Sequence, residues 1–282
     1  MTARRSPTVQ RRRLGIELRR LRERAGLTIG QVASRLECSD SKISRIETGQ
    51  VSATPRDVRD MLELYRVDPE QRETLVQVAR QARQRGWWEA YRDALAMPLA
   101  GMDTEADQIH QYETMLVPGL LQTTDYARAV LRTLRPELLR HQIERWVDFR
   151  MARQALLSRD QPPAFSVVVE ECVLARPVGG RPVMGEQLRH LTRVAGSRGL
   201  TLQVLPLAVG EHVGMNGPFT VYRFDNEEDP DVVYLEHSRG DLYLERPEQV
   251  EPYSLAFDRL RAAALSPEES VAFIAARVRA LE

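Results

Sequence analysis

Between Leu14 and Tyr65 the chain sets helix start and stop signals so close together that only a bundle of short helices fits. Leu14, Leu18 and Leu21 recur at i, i+4 and i+7, one apolar stripe on an Arg-rich helix that Ala25-Gly26 ends, with glycine in the C-cap position. Thr28 and Gln31 then form a capping box, the hydroxyl and the amide each answering a free backbone donor. Val32, Ala33 and Leu36 give this second, short helix its buried face. Ser39-Asp40-Ser41 caps a third helix, with Ile43 and Ile46 facing inward until Thr48-Gly49 stops it. Thr54-Pro55 opens a fourth, burying Val58, Met61, Leu62 and Tyr65. A tight turn between the second and third helices is the geometry of a helix-turn-helix.

Charge singles out the same segment. The 282 residues carry 40 basic and 40 acidic side chains. Residues 1–66 hold 15 basic and 8 acidic ones, a net of +7, so the other 216 carry −7. That asymmetry points to a nucleic-acid-binding end joined to a segment that avoids nucleic acid; a solvated basic terminus is the plainer account of charge taken alone. The length suits one large or two medium domains. No apolar run approaches the roughly 18 residues of a membrane span, and no membrane partner is expected. The basic start MTARRSPTVQRRR has no apolar stretch behind it and is not expected to be a secretory signal. Cys38 and Cys172, the two cysteines, make no Cys-x-x-Cys; neither a disulfide framework nor a metal site is expected, and a cytoplasmic location is the default.

Leu27-Thr28-Ile29-Gly30-Gln31-Val32-Ala33-Ser34-Arg35-Leu36 and Ser41-Lys42-Ile43-Ser44-Arg45-Ile46-Glu47-Thr48-Gly49 together resemble the Cro/C1-type (XRE) helix-turn-helix family. The small Ala33 matches the position where the two helices meet most closely. Family members usually place glycine in the turn where this chain has Glu37, which must then accept a positive φ.

In such a motif the N-terminal residues of the second helix face base edges in the major groove. Lys42 and Arg45 can donate to guanine or phosphate, and Ser39 and Ser41 to either; Ser44 shares their side of the helix. Asp40 can accept from a cytosine amino group, with a solvent-facing cap as its other role. Thr28 and Gln31 sit at a helix N-terminus, where backbone amides attract phosphate. Glu47 is expected to pair internally with an Arg of the first helix. Arg4, Arg5, Arg11, Arg12 and Arg13 read as a basic arm over residues 1–13 that reaches the minor groove or tracks phosphates, or else stays solvated. The helix-turn-helix domain is expected over 14–82, and a helical connector over 83–104. Trp87, Trp88 and Tyr91 in that connector are costly to expose and are expected to dock, a base-stacking platform being the sharper alternative.

From 105 to 282 helical and strand-like stretches mix. Residues 125–134, 138–157, 184–195 and 253–264 read as helices, with a capping box at Ser266-Pro267-Glu268-Glu269 opening a last one. Residues 165–169, 200–205, 219–224, 232–235 and 241–244 read as strands, with Ser238-Arg239-Gly240 a hairpin candidate. The expected fold is therefore an all-α N-terminal bundle followed by an α+β domain with a mostly antiparallel sheet.

This segment carries a second resemblance. Val117-Pro118-Gly119-Leu120-Leu121-Gln122-Thr123 with Tyr126-Ala127, Gly185-Glu186-Gln187-Leu188, Gly217-Pro218-Phe219, Val233-Tyr234-Leu235-Glu236 and Ala263-Ala264-Leu265-Ser266 are similar to the DUF5753 domain. The combination resembles Scr1-type antitoxin-like transcription regulators of actinomycetes. The resemblance implies a DNA-binding transcription regulator with a small DUF397-type protein as partner; a homodimer on an inverted repeat, nucleoid-associated when on double-stranded DNA, is expected because two-fold recognition is how such short helices reach useful specificity. An antitoxin-like module that sequesters that partner, with DNA binding mainly autoregulatory, is the alternative. Neither a cofactor nor catalysis is expected: His110, His141, His190, His212 and His237 make no metal-ligand spacing, and Glu170-Glu171-Cys172 falls where side chains alternate between faces. Arg176, Arg181, His212 and Tyr234 are candidates for an effector pocket that nothing in the sequence makes converge.

Overall fold

The computed structural model describes residues 7–49, 51–82, 97–226, 229–236 and 241–281. The chain divides into two compact units, Met1–Glu105 and Ala106–Glu282.

The first unit is helical: α1 (Pro7–Arg24), α2 (Ile29–Arg35), α3 (Asp40–Glu47), α4 (Pro55–Leu64), α5 (Pro69–Gln81) and α6 (Met97–Glu105). Helices α2 to α5 each begin on a side-chain cap. Thr28 and Gln31 cap α2 reciprocally, Ser39 caps α3, Thr54 and Asp57 cap α4, and Asp68 caps α5. Gly26, at φ +69°, lets Leu27 N–H reach Arg22 C=O at 3.2 Å and close α1. Leu14, Leu18 and Leu21 of α1 meet Val32, Ala33, Ile43, Ile46, Val58, Met61 and Leu62 in one buried cluster. Glu37 takes the expected positive φ, 51°, and Cys38 N–H still closes the turn on Ala33 C=O at 2.9 Å.

One expectation needs correcting. The basic arm over 1–13 does not describe Arg11, Arg12 and Arg13, because α1 already begins at Pro7, a residue preset for a first helical turn. Arg4 and Arg5 lie outside the described residues, as do Trp87, Trp88 and Tyr91 and the hairpin candidate at 238–240. Of the connector, residues 97–104 belong to α6, which packs on α1.

The second unit is α+β around a six-stranded sheet ordered β3-β2-β1-β4-β5-β6. Its strands are β1 (Gln108–Glu113), β2 (Ala164–Glu170), β3 (Leu200–Leu205), β4 (Phe219–Arg223), β5 (Val232–Leu235) and β6 (Leu242–Leu244). Three of the five pairings are antiparallel; β1, β2 and β3 run parallel. Helices α7 (Thr124–Leu134) and α8 (Arg140–Gln154) join β1 to β2, and α9 (Glu171–Ala175) and α10 (Arg181–Val194) join β2 to β3. The chain closes with α11 (Pro247–Ala263) and α12 (Pro267–Leu281). Phe257 and Leu260 of α11 cover Tyr112, Val168, Phe219, Val221 and Val233 of the sheet.

The central strand β1 escaped the sequence reading because QIHQYE alternates too weakly in polarity to look like a strand. It forms because β2 pairs with it along its whole length and β4 along Gln108–Tyr112, which satisfies its backbone on both sides there. Helix α11 starts six residues before the expected Tyr253 because Pro252 reads as a breaker; it sits inside the helix, in the second turn.

Candidate nucleic-acid interface

The helix pair α2–α3 is fixed from behind. Ile43, Ile46 and Glu47 of α3 are buried at i, i+3 and i+4. Behind Glu47, Arg22 of α1 donates Nε at 2.7 Å and Nη2 at 2.9 Å to the carboxylate, and Nη1 at 2.8 Å to Leu27 C=O. This is the internal pair expected for Glu47. Its hydrogen bond to Glu47 raises the Arg22 pKa further, so the guanidinium stays charged. Gly15 completes the contact: a Cβ there would stand 2.5 Å from Glu47 O and 2.6 Å from Ile46 O. Sequence reasoning missed Gly15, which looks like an ordinary cost in a helix; only the approach of α3 explains it.

What remains outside is polar. Ser39, Asp40, Ser41 and Arg45 are exposed, and Lys42 and Ser44 half-buried. The Ser39 hydroxyl accepts from Lys42 N at 3.2 Å and lies 3.2 Å from the Ser41 hydroxyl. Arg45 Nε donates to Ser41 C=O at 3.1 Å, which tethers the start of its guanidinium and leaves the side chain exposed. On α2, Gln31 Oε1 accepts from Thr28 N at 2.9 Å and Gln31 N donates to Thr28 Oγ1 at 3.2 Å. The capping box thus uses the Gln31 carbonyl oxygen and leaves its amide hydrogens for other partners.

Lys42 is engaged. Its Nζ donates to Asp57 Oδ1 at 2.7 Å, while Asp57 Oδ2 accepts from Thr54 N at 3.0 Å and Thr54 Oγ1 at 2.7 Å. The hydrogen bond to Asp57 raises the Lys42 pKa. Burial pushes the Asp57 carboxyl up, but the bonds from Lys42 and Thr54 outweigh it and hold the group below its ordinary value. Asp57, fifteen residues from Lys42, carried no sequence signal beyond its place in a capping box. Arg12 lies on α1 with its stem against the turn after α3, where a Cβ on Gly49 would meet Arg12 Cγ at 2.9 Å. It is buried, whereas Arg13 on the same helix is half-buried.

In the second unit the candidate chemical residues part ways. Glu170 ends β2, accepting Tyr112 Oη at 2.5 Å and facing His212 Nε2 at 3.1 Å. Glu171 starts α9 instead, accepting from Leu207 N at 3.1 Å and pairing with Arg277. Cys172 Sγ donates to Thr114 C=O at 3.0 Å, and burial, with Glu170 nearby, pushes its thiol pKa up. Arg181 holds the carbonyls of Ala280 and Leu281 at the end of α12. Tyr234 is buried against Tyr243. Arg181, His212 and Tyr234 are each committed to a different neighbourhood. Among the described residues no group of three or more His, Cys, Asp or Glu is placed to hold a metal, and no helix is long and apolar enough to cross a membrane.

Two family models match the chain: one described as a domain of unknown function (DUF5753) over residues 96–276, and one described as a helix-turn-helix domain over residues 13–75. No curated protein and no solved structure matches it.

Proposed function

The chain belongs to the DUF5753 family and joins that domain to a helix-turn-helix domain, and from that premise we propose that it is a sequence-specific DNA-binding transcription regulator. A helix-turn-helix domain by itself suggests DNA-binding regulation. The observation that carries the sharper reading is the two-sidedness of α3: Ile43, Ile46 and Glu47 lock it to the bundle, and Ser39, Asp40, Ser41 and Arg45 stand exposed on a capped, rigid helix. In the proposal α3 lies in the major groove, Ser39, Ser41 and Arg45 contact base edges or phosphates, and Thr28 and Gln31 meet the backbone at the start of α2.

Eight residues of α3 span about 12 Å, enough for about four base pairs. Useful specificity therefore calls for two copies on an inverted repeat. The second unit supplies dimerisation and control by a small DUF397-type protein or an effector. The protein works in the cytoplasm, at the nucleoid when on DNA. No catalysis is assigned to it; the raised thiol pKa of Cys172 is the reverse of an activated nucleophile. The net charge of −7 on residues 67–282 favours a basic partner. It keeps open the reading in which the protein sequesters that partner and DNA binding serves autoregulation.

Sequencing the DNA recovered with the purified protein, with and without a small DUF397-type protein, tests the proposal; an enriched inverted repeat is expected. On that operator, Arg45→Ala lowers affinity by about 1–3 kcal/mol. Operator binding retained by residues 75–282 alone would sink the assignment. Stoichiometric loss of DNA binding on adding that small protein favours sequestration.

A further inference from the structure

Glu113, at the end of β1, and Arg150, near the end of α8, are enclosed charges that make no ion pair among the described residues. Both are half-buried, yet protein surrounds each on every side. A side chain that is enclosed and still accessible lines a recess. The Glu113 carboxylate accepts from Gln111 Nε2 at 2.7 Å, and Arg150 Nη1 donates to Gln122 Oε1 at 2.6 Å, so each has a neutral amide as its hydrogen-bond partner. The two charges act on each other electrostatically without meeting, and Glu236, just after β5, acts on both. Strand register brings the two carboxylates to one end of the sheet, since Tyr112 pairs with Phe219 and Thr220 with Tyr234. Enclosed charges are ordinarily paired, and the cost of leaving these apart is visible. Burial, with Glu236 nearby, pushes the Glu113 carboxyl up to about 8; burial, with Arg153 nearby, brings Arg150 down to about 10.

Arg150 is nevertheless held in place. Buried Gln122 gives its Nε2 to Val117 C=O at 2.7 Å, and Tyr126 Oη accepts from Val117 N at 3.1 Å. Buried Gln187 donates Nε2 to Leu121 C=O and accepts from Thr123 N, both at 2.7 Å. These bonds fix residues 117–123 beside the guanidinium, where a Cβ on Gly119 would stand 3.9 Å from Arg150 Nε. A guanidinium has five N–H donors, and its fork matches a carboxylate. A simple anion on Arg150 would face the carboxylates of Glu113 and Glu236, and a simple cation beside them would face Arg150 and Arg153. A molecule that carries both charges answers both ends of the recess.

We propose that the recess between the end of β1, residues 117–123 and α8 binds a small zwitterion, an α-amino acid or a molecule with the same two groups, its carboxylate on Arg150 and its amine toward Glu113 and Glu236. The site stands on the second unit alone; that its occupant is the effector of the regulator rests on the reading proposed above.

Thermal melts of the full chain with each common L-α-amino acid at millimolar concentration, followed by calorimetric titration of those that raise the midpoint, test this. At least one is expected to bind, and its counterparts lacking the amino group or the carboxylate to bind at least about tenfold more weakly. Arg150→Lys keeps the charge without the fork, and Glu113→Gln keeps the shape without the charge; each is expected to weaken binding at least about tenfold. A circular dichroism melt of each unliganded variant close to that of wild type is expected. Arg259→Gln, in the cleft lined by Phe219 and Tyr253, is the control and leaves binding unchanged. The site is overturned, with the DNA-binding reading left standing, if no amino acid raises the midpoint, if binding is indifferent to Arg150→Lys and Glu113→Gln, or if both variants fail to fold. Binding lost with Arg259→Gln alone overturns it too. Binding that follows these variants but leaves operator affinity unchanged supports the site and overturns its occupant as effector.

Discussion

Truncation of Glu47 to alanine probes the device that sets the angle of α3. In the folded chain the carboxylate takes two hydrogen bonds from Arg22, at 2.7 and 2.9 Å, with the two side chains only 3% and 9% exposed. Removing it leaves the buried guanidinium with Leu27 C=O as its remaining hydrogen-bond acceptor and the exposed Glu23 carboxylate, 3.6 Å away, as its remaining counter-charge. Breaking one partner of a buried pair costs about 3–5 kcal/mol. A unit of this size is stable by about 5–15 kcal/mol, so the loss is a large share of the total. The midpoint should fall by on the order of 15–25 °C. Because each unit has its own apolar core, calorimetry of the full chain should show one transition moving and the other holding. Hydrogen exchange would assign the moving transition to residues of α1–α5. The paired replacement Arg22→Met with Glu47→Leu removes both charges and keeps the volume, so it should lie within about 1 kcal/mol of wild type. A loss below about 1 kcal/mol for Glu47→Ala, or a double variant as unstable as the single one, would refute the argument.

Gly15→Ala gains helix propensity of about 1 kcal/mol but drives a methyl into the backbone of α3, so a net loss of about 1–2 kcal/mol is expected in urea denaturation; a stabilised variant would contradict the close approach. Asp57→Asn releases Lys42 on α3, and the salt dependence of operator binding should steepen by about one ion, read by anisotropy against salt concentration. His110 stacks on Phe257 with ring centroids 4.7 Å apart; burial, aided by Arg223 and Arg261 and opposed by Asp258, brings its pKa down to about 4. It stays neutral in the fold while the unfolded chain takes a proton near pH 6.5, so the second unit loses stability as pH falls from 6.5 toward 4, by up to about 3 kcal/mol. His110→Phe should abolish that part of the pH dependence; an unchanged acid profile would remove His110 as its source.

The features legible in the sequence are those whose partners lie within a turn or two. Thr28 with Gln31, Ser39 with the Lys42 amide and Ser266 with Glu269 satisfy free helix ends over three residues, so residue type and spacing were sufficient to place them. The apolar stripe of α1 and the buried face of α3 were readable because the helical period is local. The segregation of charge was readable because it needs no geometry. Tertiary structure decided everything that joins distant residues. It made QIHQYE the central strand by giving it neighbours on both sides, and it turned Gly15 from a weakness of α1 into the place where α3 fits. It drew Arg12 and Arg13 into a helix where a loose arm seemed to start. It gave Lys42 to Asp57, and it separated Glu170 from Glu171 by ending a strand between them. Local free energies choose helices and caps, but a side chain's final partner depends on which segments the buried core brings together, and that is fixed only when the whole unit folds.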